Sequence, residues 1–217
     1  MARLLQGLGP VVGANTRLVV LGSFPGVASL VAQQYYGHPR NHFWPILSAL
    51  WQVDLVPLPY PQRIESMRAR GLGLWDVYAR CKREGSLDSA IEQAEFNDLA
   101  SLKARAPRLQ AIAHNGGESA RAIKHTQSLG VAVHRLPSTS PANASWSFER
   151  KLAAWRSAFA EHGMIASCPD LASHRPWPPP PSRKPTPCAT CTWARCGCRA
   201  PCASASRWRW SWNTSSE

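Results

Sequence analysis

Two short segments near the N-terminus combine residue types that could hold a planar ring beside a water molecule. The first, Gly22-Ser23-Phe24-Pro25-Gly26, is a turn of small residues after the apolar run 17–21. The second is Tyr36-Gly37-His38-Pro39-Arg40-Asn41-His42-Phe43-Trp44, which offers an aromatic ring and an amide on either side of a Pro turn. A tyrosine ring can stack on a planar ring, and an asparagine amide can orient a water. Because open α/β sheets bind ligands in the loops after their strands, we expect the chemistry there.

The elements that must position these segments alternate along the chain. Short apolar runs predict strands at 17–21, 73–77, 110–114 and 131–136. Apolar residues at helical spacing predict a helix that begins near Asn41, a helix at 118–127, and a closing helix at 148–159. Strands that alternate with helices are typical of βαβ units, so the fold class is predicted to be α/β with a mainly parallel sheet covered on both faces.

A third segment, Leu136-Pro137-Ser138-Thr139-Ser140-Pro141-Ala142-Asn143-Ala144, completes a family resemblance. In this order the three segments resemble the uracil-DNA glycosylase superfamily, and within it the hypoxanthine-DNA (deoxyinosine) glycosylase family. The resemblance covers residues from about 17 to about 159. It implies a three-layer α/β/α sandwich with a central, mainly parallel four-stranded sheet. It also implies an enzyme without a cofactor that flips a nucleotide out of DNA and hydrolyses its N-glycosidic bond.

The resemblance places the functional asparagine of the first motifs at Asn41, which is therefore the candidate catalytic residue. Its amide could orient a water towards C1′ while bonding to sugar or base. An asparagine at a loop-to-helix junction is also a common helix N-cap. Many superfamily members carry a carboxylate or amide near the position of Phe24 to activate water. This chain has Ser23-Phe24 there, so water activation must come from elsewhere.

Five residues are predicted to contact the base. Tyr36 lies where related mismatch glycosylases place an aromatic that stacks on the flipped base, although Tyr35 or Tyr36 could instead fill the core. Asp76 corresponds by strand order to the residue that reads the base edge. It could accept from N1–H of hypoxanthine, donate to O6 when protonated, or only cap a turn. Phe24 could equally be a core residue. The predicted base-binding set is Gly22, Ser23, Phe24, Tyr36 and Asp76.

The third segment resembles the superfamily loop that presses into the minor groove. Its hydroxyl groups could donate to phosphate oxygens, and Ala142 or Asn143 could fill the space that the flipped nucleotide leaves. Alternatively, the loop only caps the last helix. His38 could contact a phosphate or the leaving base, or be an ordinary structural histidine. The predicted DNA-binding residues are His38, Arg40, Ser138, Ser140, Pro141, Ala142 and Asn143.

Composition divides the 217-residue chain near residue 165. The net charge is +12, and the seven Lys/Arg and two acids beyond residue 165 leave about +7 on residues 1–165. A basic domain suits a polyanionic partner such as DNA. Residues 1–165 are predicted to form the glycosylase domain. Residues 166–217 are rich in Pro, Cys, Trp and Arg without a helical or strand period, and are predicted to be disordered.

Six of the seven cysteines lie beyond residue 165, which leaves Cys81 in the domain. A disulfide framework or a cysteine-ligated iron–sulfur cluster is therefore not expected there. The later spacing Cys188-x2-Cys191-x4-Cys196-x-Cys198-x3-Cys202 resembles no zinc module, so no metal is expected. No apolar run approaches the roughly 18 residues of a membrane helix, and no signal peptide is evident. We expect no membrane partner and a cytoplasmic, nucleoid-associated location.

These observations favour a monomeric, monofunctional DNA glycosylase that removes deaminated bases, chiefly hypoxanthine, from damaged DNA in base excision repair. The three motifs contain no lysine, so a Schiff-base lyase step is not expected. Two alternatives stay open. One is an enzyme of the same superfamily that prefers uracil in mispairs. The other is a non-catalytic DNA-binding domain with this fold, which the absence of a water-activating group at Phe24 would permit.

Overall fold

A computed structural model describes residues 4–165, which contain two sheets. The strands are β1 (Leu4–Gln6), β2 (Leu18–Gly22), β3 (Leu72–Asp76), β4 (Tyr78–Lys82), β5 (Glu92–Phe96), β6 (Ala111–Asn115) and β7 (Ala132–Leu136). The α-helices are α1 (Val27–Ala32), α2 (Phe43–Trp51), α3 (Tyr60–Ala69), α4 (Leu102–Arg105), α5 (Ile123–Gln127) and α6 (Phe148–Glu161).

The main sheet has the order β3-β2-β6-β7, and all of its strand pairs are parallel. Every residue of β2, β3 and β6 is buried, as continuous apolar strands in a parallel sheet are. Because the strands run in the same direction, their carboxyl ends meet at one edge. Gly22 pairs in register with Asp76 there, and Asn115 pairs with Leu136. The four predicted strands are all present.

Helices cover both faces of this sheet. Leu18 and Val20 belong to a core cluster with residues of α2 and α6, whereas Val19 and Leu21 belong to a second cluster that contains Leu102 of α4. Neighbouring strand residues point to opposite faces, which explains the alternation. The predicted three-layer α/β/α architecture is therefore confirmed, and so are the helix that follows Asn41 and the closing helix.

The sequence patterns missed a second sheet. Strands β1, β4 and β5 form a three-stranded antiparallel sheet in the order β1-β4-β5. Both β4 and β5 mix charged with apolar residues, and one cross-strand ion pair joins Arg80 to Glu95 at 2.9 Å. The helices α1 and α3 were also missed: α1 is only 6 residues long, and α3 has few apolar residues among polar ones.

The helix predicted at 118–127 is split, which is a correction. A 3₁₀ turn occupies Ser119–Ala122, and α5 follows it. Ser119 Oγ donates to the carbonyl of Leu21 at 2.7 Å and lies 3.0 Å from His114 Nδ1. These contacts hold the first turn against the sheet in a tighter geometry than an α-helix has.

The predictions for residues 166–217, namely disorder and the absence of a metal site among their cysteines, lie outside the described residues. Among the helices that the structure describes, none is long and apolar enough to span a membrane.

Candidate active site

A cavity of about 410 Å³ opens at the carboxyl edge of the main sheet. Its walls come from the segments after β2, β3, β6 and β7 and from the loop between β4 and β5. Of the predicted site residues, only Arg40 does not line it; that residue is exposed nearby in the chain. The lining residues are Gly22, Ser23, Phe24, Gly26, Ala28, Ser29, Tyr36, His38, Asn41, Asp76, Ser86, Leu87, Asp88, Asn115, Ser138, Thr139, Ser140, Pro141, Ala142 and Asn143.

Asn41 lies in the cavity wall and also organises the start of α2. Its Oδ1 accepts a hydrogen bond from the backbone N–H of Phe43 at 2.9 Å, which fixes the orientation of the amide. Within the described residues its Nδ2 has no hydrogen-bond partner, so this donor is free to meet a ligand or a water. The N-cap of α2 is His42, so Asn41 lies one residue before the cap, and its bond to Phe43 closes a local turn. This structural role and a ligand-binding role of Asn41 are compatible. Its catalytic role stays a prediction.

Tyr36 lines the cavity in a left-handed backbone conformation, with φ at 55°. One face of its ring stacks on Phe43, with centroids 3.9 Å apart and planes 19° apart. Its hydroxyl accepts a hydrogen bond from Asn115 Nδ2 at 3.1 Å. Tyr35 instead turns into the core, where its hydroxyl donates to the carbonyl of Gly9 at 3.1 Å. The tyrosine available for stacking on a ligand is therefore Tyr36.

Asp76 is a buried carboxyl group at the bottom of the cavity. It is 3% exposed, and its Oδ2 is buried without a hydrogen-bond partner. Burial raises the pKa of Asp76 to about 7, and Asp88 adds to this effect, while the guanidinium of Arg83 opposes it. Gly22 leaves the space that the carboxyl needs, because a Cβ at this position would lie 2.3 Å from Asp76 Oδ1.

The loop after β2 is tied to the loop between β4 and β5. Ser23 Oγ donates to Asp88 Oδ1 at 2.7 Å, and the backbone N–H of Val27 donates to Ser86 Oγ at 3.0 Å. Phe24 is only 5% exposed and belongs to the second core cluster, with the Arg83 guanidinium 5.1 Å from its ring centroid. The ring of Phe24 thus has no open face on which a base could stack.

The loop after β7 is held by hydrogen bonds within the loop, from the residue before α2, and from α6. Asn143 Nδ2 donates to the carbonyl of Ser138 at 3.0 Å, and the carbonyl of Thr139 accepts from the backbone N–H of His42 at 3.0 Å. Lys151 of α6, which is buried, donates from Nζ to the carbonyl of Ser140 at 3.4 Å. The loop is therefore a fixed wall of the cavity.

Eight lining residues were not among the predicted site residues, and three of them, Asn115, Leu87 and Asp88, bear on the chemistry of the site. Asn115 joins two motifs, since its Nδ2 donates to Tyr36 and to Thr139 Oγ1, and its Oδ1 accepts from the backbone N–H of Thr139. Its place at the end of a predicted strand was the signal that could have found it. Leu87 and Asp88 lie in the loop between β4 and β5, and the sequence patterns predicted neither of these strands.

The cavity is not built as a metal centre. In the described part of the chain, one group of three metal-ligating side chains converges, formed by His134, Glu161 and His162, and none of them lines the cavity. Asp76 and Asp88 are the carboxylates in the lining, which contains neither lysine nor arginine.

Comparisons with known proteins agree with this architecture. The family model of the uracil DNA glycosylase superfamily matches residues 10–161. Proteins named hypoxanthine DNA glycosylase from Methanosarcina barkeri and Methanosarcina acetivorans are 38% and 34% identical over 154 residues, and both alignments cover 71% of this chain and 97% of the relative. A solution NMR structure of a candidate uracil DNA glycosylase from Methanosarcina acetivorans superimposes with a TM-score of 0.68 at 33% identity, over 74% of this chain and 99% of that one. The chain therefore belongs to the uracil DNA glycosylase superfamily, in the family of the hypoxanthine DNA glycosylases.

Proposed function

We propose that this protein is a monofunctional DNA glycosylase that excises deaminated bases, chiefly hypoxanthine, from damaged DNA in base excision repair. The observation that carries the proposal is that Asn41, Tyr36 and Asp76 line the same cavity. The relatives of this chain bear the name hypoxanthine DNA glycosylase. The proposed active form is a monomer. The proposed site of action is the DNA of the cytoplasm and nucleoid.

The proposed reaction is a hydrolysis at C1′ of the flipped nucleotide. The C1′–N9 bond breaks, and its electron pair leaves with the purine, which takes up a proton. A water oxygen forms the new bond to C1′ and loses a proton, so the products are free hypoxanthine and an abasic site. Asn41 orients the water, and its amide is already fixed by the N–H of Phe43. Lys151 does not line the cavity, which supports hydrolysis over a Schiff-base step.

Base recognition is assigned to Tyr36 and Asp76. The exposed side of the Tyr36 ring stacks on the purine, while Phe43 supports the opposite face. The carboxyl of Asp76, which lines the cavity, donates its proton to O6 of hypoxanthine, because a carboxyl with a pKa of about 7 is partly protonated at neutral pH. Adenine carries an amino group in place of O6. That group is a poor acceptor, so the same donor discriminates against the normal base.

Leu87 is the proposed wedge that enters the duplex when the nucleotide flips out. Apolar side chains commonly serve as wedges between base steps. Ala142, which the sequence suggested for this role, is too small to replace a base, and the amide of Asn143 is bonded to Ser138. Leu87 is 57% exposed and lines the cavity. Its neighbours Ser86 and Asp88 are both hydrogen-bonded to the loop after β2, so Leu87 is held at the rim.

We expect Leu87→Ala to slow base release from duplex DNA about 10- to 100-fold, which corresponds to losing the burial of one leucine side chain. Release from single-stranded DNA should change less than about twofold, because no stack has to be replaced. The measurement is the single-turnover rate on a deoxyinosine-containing duplex and on its single strand. Leu4→Ala, which removes an equally exposed leucine from β1, is the matched control. An equal fall in the rate on both substrates would show that Leu87 is not the wedge.

The proposed function is tested by base release from matched oligonucleotides that carry one deoxyinosine, uracil or xanthine. Chromatography of the free base and alkaline cleavage of the abasic strand give the rate for each substrate. We expect hypoxanthine to be released fastest. Dominant uracil release would assign the protein to uracil repair, and salt-dependent DNA binding without any release would establish the non-catalytic alternative.

A further inference from the structure

Three metal-ligating side chains converge where β7 meets the end of α6. His134 Nε2 lies 2.7 Å from His162 Nε2 and 3.8 Å from Glu161 Oε2. All three ligand atoms lie within 4.8 Å of one another. The two imidazoles are partly buried, and Glu161 is exposed, so the group is open to solvent on the side of the carboxylate.

The two imidazole nitrogens, His134 Nε2 and His162 Nε2, lie in direct contact. Two neutral rings can make this contact only if one nitrogen donates and the other accepts, whereas two protonated rings repel each other. A neutral ring presents a lone pair, and a cation between the two nitrogens would use both lone pairs at once.

We propose that His134, Glu161 and His162 bind a divalent transition-metal ion of the zinc type. In a tetrahedral zinc site, bonds of about 2.0–2.1 Å place ligand atoms roughly 3.3 Å apart. The observed separations of 2.7 and 3.8 Å bracket this value, so small side-chain rotations would complete the geometry. Two imidazoles and one carboxylate match zinc, nickel and copper, whereas calcium and magnesium take oxygen ligands. The remaining coordination position is left to water.

Such a metal would stabilise the loop after β7, which forms one wall of the cavity. β7 carries His134 and leads directly into the loop after Leu136, whereas Glu161 is the last residue of α6 and His162 is its C-cap. Trp155 of α6 already donates from Nε1 to the carbonyl of Pro137 at 3.2 Å, and Lys151 donates to Ser140. A metal that joins the strand to the helix would therefore fix both supports of this loop. The expected consequence is stability, since an ion that binds only the folded state stabilises it.

The test uses the full chain after alkylation of its accessible thiols with iodoacetamide, so that the cysteines beyond residue 165 do not bind the added metal. Buried Cys81 should escape modification. Co²⁺ is titrated while its visible absorption is followed, and Zn²⁺ is then added as the competitor. We expect one equivalent of Co²⁺ with a nitrogen and oxygen ligand spectrum, displaced by Zn²⁺. At 100 times its dissociation constant, Zn²⁺ should raise the Tm by about 5–10 °C.

The variants His134→Ala and Glu161→Gln should each weaken metal binding at least about tenfold and reduce the rise in Tm, because each removes a direct ligand. His125→Ala removes an exposed histidine from α5 and is the matched control, which should bind like the unmodified sequence. Equal affinity in His134→Ala and the parent protein would overturn the proposal, as would the absence of any Co²⁺ spectrum. Neither readout depends on glycosylase activity.

Discussion

Asn41→Ala is expected to slow hypoxanthine release about 100- to 1,000-fold, the usual loss when one oriented polar contact to a transition state is removed. The amide lies in the cavity wall with its Oδ1 fixed by the N–H of Phe43, and alanine leaves nothing to orient the water. DNA binding should be nearly unchanged, because the contact of the Asn41 amide with the water stabilises the transition state and does not add to the affinity for the duplex. The measurement is the single-turnover rate on duplex DNA, paired with the dissociation constant on the same oligonucleotide.

Asn41→Ser separates catalysis from the structural role of this residue. A serine hydroxyl can accept from the backbone N–H near the start of α2, so the variant keeps that contact and loses the amide. Loss of the contact in Asn41→Ala should lower the free energy of unfolding by about 1 kcal/mol, and Asn41→Ser should lower it less. Both variants should be equally slow at base release. An Asn41→Ser protein with a normal rate would leave Asn41 only its structural role in the turn before α2.

Asp76→Asn is expected to stabilise the protein at alkaline pH. The folded-state pKa of about 7 lies above the ordinary value of 3.8, so the charged form is disfavoured by folding. The contribution of Asp76 to the stability of the parent protein should therefore be highest below pH 4, fall as the pH rises towards 7, and stay low above that. Asparagine does not ionise, so the variant should exceed the parent at pH 8 by up to about 4 kcal/mol. Urea unfolding at pH 5, 6.5 and 8 gives the comparison; a difference that does not grow with pH would contradict the assignment.

The same substitution should change the pH profile of base release. If the protonated carboxyl donates to O6, the rate of the parent protein falls as the pH rises through about 7. Asp76→Asn retains a donor in its amide, so its profile should be flat across this range. Asp76→Ala, which has neither donor nor acceptor, should be about 10- to 100-fold slower at pH 6. A parent rate that rises through pH 7 would mean that the ionised carboxylate reads N1–H instead.

The sequence by itself determined the main sheet and its functional edge. The runs at β2, β3 and β6 are apolar enough that burial on both faces is the only arrangement that hides them from water, and the more exposed β7 pairs at the edge beside β6. The direction of parallel strands then places the segments after Gly22, Asp76 and Leu136 at one edge. This is why nearly all of the predicted site residues line one cavity. The small sheet escaped prediction because β4 and β5 lack an apolar pattern.

Only the tertiary structure decided which polar atoms have hydrogen-bond partners and which do not. The amide of Asn115 is hydrogen-bonded to Tyr36 and Thr139, whereas the buried Oδ2 of Asp76 has no hydrogen-bond partner. Leu87 reaches the rim because Ser23 holds its neighbour Asp88 across 65 positions of the chain. Hydrogen bonds and burial of this kind join residues that are far apart in the sequence. Local periodicity reports only which face of an element is apolar, so it contains no information about those partners.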